Sequence, residues 1–212
     1  MKLVAKTLVL AALMGGVVNL AVAGGDAAAG QAKSAVCGAC HGTDGNSMAP
    51  NFPKLAGQAE SYTIKQLQDI KSGARQVPEM MGFVPGLSEQ DMADLAAYYA
   101  QQKPTSGAAD PALVELGQKV FRAGNQANGV AACASCHGST GKGMPEAGFP
   151  VLAGQHAAYI EAQLKAFRAA GREDAEGKRR TNDGEAKMMQ ATAARLSDNE
   201  IKALASYING LQ

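Results

Sequence analysis

Residues 37–41 read CGACH and residues 133–137 read CASCH; these two stretches hold all four cysteines of the chain and two of its three histidines. Cysteines three residues apart share one face of a helical turn, and a histidine four residues from the first lies on that same face. Four chemistries use such residues. A Cys37–Cys40 disulfide would close a tiny loop, which restrains an unfolded chain weakly, and would leave His41 idle. A redox-active dithiol expects a βαβ setting, which this sequence lacks. Structural zinc needs four ligands, so it would have to join both stretches or recruit His156. Covalent c-type haem uses every residue of the motif. Cys37, Cys40, Cys133 and Cys136 would form thioethers with the haem vinyl groups, and His41 and His137 would reach the iron. Two such motifs in register favour this reading, with two haem groups as cofactors.

The sixth iron ligand separates an electron carrier from a haem enzyme, because a methionine thioether closes the site while an open position admits peroxide or oxygen. Candidates occur as doublets, Met80-Met81 and Met188-Met189. Met80 lies seven residues before Leu87 and Met189 seven before Leu196, so only this pair keeps methionine in both registers. Met81, Met92 and Met188 read as core filling. Met48 and Met144, each seven residues after a histidine, read as packing at a haem edge. Ligation from the loop leaving the histidine would strain that loop. The second nitrogen of each histidine needs an acceptor. Pro53 and Pro150 follow at 12 and 13 residues and offer carbonyls, although a plain turn proline would look the same.

The elements that must position these residues come from an internal repeat. NFPKLAGQ (51–58) and GFPVLAGQ (148–155) align at an offset of 97, and GLSEQD (86–91) aligns with RLSDNE (195–200) at 109. The chain is therefore a tandem duplication with a 12-residue insertion in its second half. PTSGAADP (104–111) has linker composition and separates residues 24–103 from 112–212. Ser88 with Asp91 and Ser197 with Glu200 form capping boxes that open helices, and Asp110-Pro111 opens another. Middle helices run through Tyr62, Leu67 and Ile70, and through Tyr159, Leu164 and Phe167, and no segment alternates as a strand does. The fold class is all-α, with two small helical domains. Each is short of hydrophobic core, and a covalent cofactor would make good the deficit.

MKLVAK followed by an apolar run and Ala21-Val22-Ala23 predicts a signal peptide over residues 1–23, cleaved before Gly24. Gly15, Gly16 and Asn19 break the run short of the ~20 residues that span a bilayer. The formal net charge of +1 gives no field for nucleic acid. Lys178-Arg179-Arg180, within the insertion, reads as a solvated loop, with an acidic partner or anionic lipid as the other possibility. His156 aligns with Ala59, so it reads as a surface or cap histidine.

GDAAAGQAKSAVCGACHG, NFPKLAGQ, the LSEQD and LSDNE helix starts, GFPVLAGQHAAY and RTNDGEAKMM together resemble the diheme cytochrome c4 family over essentially the whole mature chain. The resemblance implies two tandem cytochrome c domains, each built around a covalent haem. It implies axial pairs His41/Met80 and His137/Met189, with the histidines bonded to the carbonyls of Pro53 and Pro150. Small residues at Gly30 and Gly117 are implied where the first and last helices of each domain cross. It further implies a monomeric periplasmic electron carrier, loosely associated with the membrane, between respiratory donors (a respiratory complex or a small redox protein) and a terminal oxidase. A diheme peroxidase and an electron-transfer subunit of a larger dehydrogenase or oxidase are the alternatives.

Overall fold

Capping and small-residue spacing explain most of the helices. A computed structural model describes residues 24–172 and 176–212. The signal peptide expected over 1–23 lies outside the described residues. Asp26 accepts from Ala28 and Ala29 to open α1 (Ala27–Lys33), and the turn at Ser34 leads into α2 (Ala35–His41), which carries the first cysteine motif. Helix α3 (Glu60–Ser72) ends at Gly73, whose left-handed φ of 82° lets the backbone stop it. Ser88 and Asp91 form the expected capping box of α4 (Glu89–Ala100). Asp110 caps α5 (Pro111–Ala123), with proline at the first helical position. The second motif lies on the short α6 (Ala134–His137). Then come α7 (Ala157–Gly171), α8 (Met188–Ala193) and α9 (Asp198–Gly210), the last opened by the Ser197–Glu200 capping box. Among the described residues there is no strand, only two isolated bridges, Asn125–Val130 and Met144–Phe149.

In each domain the first long helix crosses the last. Helix α1 packs on α4 and α5 on α9, while α3 and α7 brace α4 and α9. The crossings need glycine. A Cβ on Gly30 would sit 2.0 Å from the carbonyl oxygen of Asp94, and one on Gly117 would sit 2.3 Å from that of Ala203. The second domain packs Val120, Phe121, Leu196, Ile201 and Leu204 into one core, whereas the first gathers a smaller cluster around Ile70, Val84 and Met92. Met92 is thus core, as expected. Met81 and Met188 are not: each is 47% exposed. Met48 is 93% exposed among the protein's own atoms.

The connecting residues 103–110 have no regular structure but are tied at both ends. Thr105 donates to Asn46 of the first domain, and Gly107 donates to the Asn209 carbonyl of the second. Between the domains lies a polar seam. Arg180 departs from the solvated loop expected of its segment: it is buried, with its guanidinium 4.6 Å from the Phe167 ring centroid. It donates to Gln163 and Asn182 of its own domain and to Tyr62 and Gln66 of the other. Arg75 answers from the first domain, donating to Gln66 and across the seam to Tyr159 and Gln163. Buried against the Phe167 ring, Arg180 takes amide and phenol acceptors in place of water.

Candidate haem-binding sites

One continuous cavity of about 1640 Å³ runs through both domains, with Cys37, Cys40, His41 and Met80 on the wall of one lobe and Cys133, Cys136, His137 and Met189 on the other. Helix α2 places the first motif at the end of a turn that Gly42 terminates with a φ of 79°; Gly138 ends the second motif with a φ of 76°. No disulfide joins any of the four cysteines. Burial pushes the Cys37 thiol up and the Cys133 thiol to about 11. A reactive dithiol is favoured by a depressed pKa, and burial works against that at Cys37 and Cys133. No three or more His, Cys, Asp or Glu side chains among the described residues converge as a metal cluster, which removes the zinc reading there.

Both histidines are buried, and in both Nδ1 contacts a proline carbonyl: His41 to Pro53 at 2.8 Å and His137 to Pro150 at 3.0 Å. A carbonyl can only accept, so Nδ1 carries the proton and donates, and Nε2 keeps its lone pair. Burial lowers both imidazole pKa values, partly offset by the proline hydrogen bonds. The rings are neutral near pH 7 and their Nε2 atoms can ligate a metal. Phe52 and Phe149 hold the rings edge-on, at 6.3 and 6.0 Å.

Within the methionine doublets, Met80 packs on the first core and Met189 on the second. Gln190 is buried instead of a third methionine, its backbone and side-chain amides both donating to Asp183. A soft thioether, a neutral imidazole and two thiols on the wall of each apolar lobe suit a haem. Thr63, on α3 at the cavity wall, keeps a buried hydroxyl with no hydrogen-bond partner, a polar atom that a large cofactor with polar substituents can satisfy.

A family model for cytochrome c matches residues 27–103 and again 114–212. Cytochrome c4 of Pseudomonas aeruginosa is 57% identical over 206 residues, covering 97% of this chain and 98% of that one. The chain belongs to the cytochrome c4 family. The crystal structure of reduced recombinant cytochrome c4 from Pseudomonas stutzeri superposes with a TM-score of 0.83 at 53% identity, covering 89% of this chain and all of that one. A thiosulfate dehydrogenase electron acceptor of Thiomonas intermedia is 36% identical, over 85% of this chain and 81% of that protein. Members of the cytochrome c4 family carry two covalent haem c groups and transfer electrons; this chain is such a protein and not an enzyme.

Two sets of residues at these sites escaped sequence reasoning. Gln58 and Gln155 served only to align the repeat, yet both side chains bridge the domains. His156 occupies the N-cap position of α7 without a side-chain capping bond; its Nε2 instead donates to the Ser47 carbonyl of the other domain, at 2.8 Å. For Gln58 and Gln155 the available signal was their repetition; His156, aligned with Ala59, offered none.

Proposed function

We propose that residues 24–103 and 112–212 are two carrier domains joined by 104–111, with His41/Met80 and His137/Met189 as axial iron ligands. In this reading Cys37, Cys40, Cys133 and Cys136 are the thioether anchors, and Pro53 and Pro150 orient the ligand histidines. Bound haem supplies a one-electron iron(II)/iron(III) couple. The protein's part is to keep the ligands unchanged between the two oxidation states, so that little rearranges on electron transfer. The observation that carries this is the twofold occurrence of a neutral, carbonyl-anchored histidine and a core-packed methionine on the walls of one cavity.

The protein acts in the periplasm, exported by the signal peptide of residues 1–23, as a monomer loosely associated with the membrane. No helix among the described residues is long and apolar enough to cross a bilayer. A respiratory complex or small redox protein is the donor and a terminal oxidase the acceptor. The relative named as a thiosulfate dehydrogenase electron acceptor supports a dehydrogenase as a further donor.

The ligand assignment is tested by Met80→Ala and Met189→Ala. Each variant loses the sulfur-to-iron charge-transfer band of one haem, lowers that haem's potential and lets added imidazole bind. Met81→Ala and Met188→Ala keep both bands. A band that survives Met189→Ala would overturn the assignment.

A further inference from the structure

The peptide joining Pro53 to Lys54 is engaged at both ends. Its carbonyl accepts from His41 Nδ1 at 2.8 Å, and its N–H donates to Oε1 of Gln155, in the other domain, at 2.9 Å. The mirror arrangement joins Pro150 to Val151: the carbonyl accepts from His137 Nδ1 at 3.0 Å, and the N–H donates to Oε1 of Gln58 at 2.9 Å. Each glutamine also returns a bond to the next carbonyl, Gln155 Nε2 to Lys54 and Gln58 Nε2 to Val151, at 2.9 and 3.0 Å. The amide orientations are determined by their partners. Gln155 Oε1 takes a second N–H from His156, and Gln58 Oε1 takes one from Ala59, both at 3.0 Å; only an oxygen can accept twice there.

A peptide group shares its electrons across O, C and N. Donating through N–H makes its oxygen more negative, so the two hydrogen bonds strengthen each other. A stronger acceptor draws the Nδ1 proton further and makes the imidazole a better electron donor at Nε2. The group that polarises each proline carbonyl therefore lies in the opposite domain. We propose that Gln155 and Gln58 are crossed positioning residues, each tuning the ligand histidine of the other domain through one peptide bond, so that docking of the two domains sets both redox potentials. This rests on His41 and His137 being iron ligands.

Better donation from histidine favours ferric iron, so breaking the crossed bond raises the potential of the opposite haem. The test is a redox titration of the diheme protein, followed by the haem-methyl NMR resonances of each haem. Gln155→Met raises the potential of the haem anchored at Cys37 and Cys40 and shifts the His41 Nδ1 proton upfield, leaving the other haem in place. Gln58→Met does the reverse. Gln155→Glu keeps an oxygen facing the Lys54 N–H and does not raise the potential. His156→Ala, which loses a different bond across the same seam, serves as control and gives no one-sided response. A shift confined to the variant's own domain, equal shifts in both, or none would overturn the proposal while intact charge-transfer bands leave the ligand assignment standing. Absence of the bands from the unmodified protein would overturn the methionine ligands alone, because the bands report the thioether and not the imidazole.

Discussion

Asp94 is 3% exposed at the crossing of α1 and α4, and three groups converge on its carboxylate. Lys33 Nζ lies 2.8 Å away, the Asp26 N–H 2.9 Å and the Gln90 amide 2.8 Å. These bonds, Lys33 foremost, hold its pKa down to about 2. An unfolded aspartate titrates near 3.9. The folded state therefore binds fewer protons, and Asp94 contributes stability that is present above about pH 4 and lost as pH falls towards 2. Thermal melts between pH 6 and 2 are expected to show this loss, and Asp94→Asn is expected to flatten it. Lys33 and Asp94 follow their crossing by register, and the same register in the second domain reads Val120 and Ala203, both buried. At this scale the sequence was partly legible. Cys37, His41 and their echoes name a cofactor because few chemistries need that spacing. Met81 and Met188 misled because hydrophobic type alone does not say which of two adjacent side chains faces inward on a short turn.

At the scale of elements, the capping boxes and Asp110-Pro111 were readable because cap chemistry is local, a matter of three or four neighbouring residues. The crossings were not readable from periodicity; a glycine in a helix is equally a weak spot. What explains them is the approach of a second helix. A Cβ at Gly117 would lie 2.3 Å from the Ala203 oxygen and 2.6 Å from the Cβ of Tyr207. Neither is the end of a flexible side chain, so α5 and α9 must part to admit it. Gly117→Ala is expected to cost about 1–3 kcal/mol, measured by denaturant unfolding. Gly73→Ala offers a contrast, since open space surrounds that position and only its left-handed backbone resists a side chain. Its cost is expected to be about 1 kcal/mol.

For the whole molecule, the seam between the domains decides how the halves move. Arg180 joins Tyr62 and Gln66 to Gln163 and Asn182, and Asn182 also reaches Asp69 of the first domain. Arg180→Met fills similar space but leaves buried acceptors unpaired, on the order of 1–3 kcal/mol for each group left unsatisfied. Calorimetry is expected to show one unfolding transition in the unmodified protein and two in the variant, because the domains then melt separately. One shared transition in both would show that the seam is held by other contacts. None of this was legible in Lys178-Arg179-Arg180, which as a sequence is an ordinary solvated charge run. The fold buries its last residue against Phe167 and Tyr62, side chains 13 and 118 positions away.

The sequence alone determined the cofactor, its number and the all-α class, since haem attachment, repetition and capping are written in residues close together along the chain. Only the tertiary structure decided that Met81 and Met188 are exposed, how closely the helices approach at the crossing glycines and what the repeated glutamines do. Those outcomes depend on groups brought together from distant positions. Lys54 meets Gln155 and Val151 meets Gln58 only after two folded halves dock. A hydrogen bond formed across that docking surface leaves no local pattern for the sequence to display.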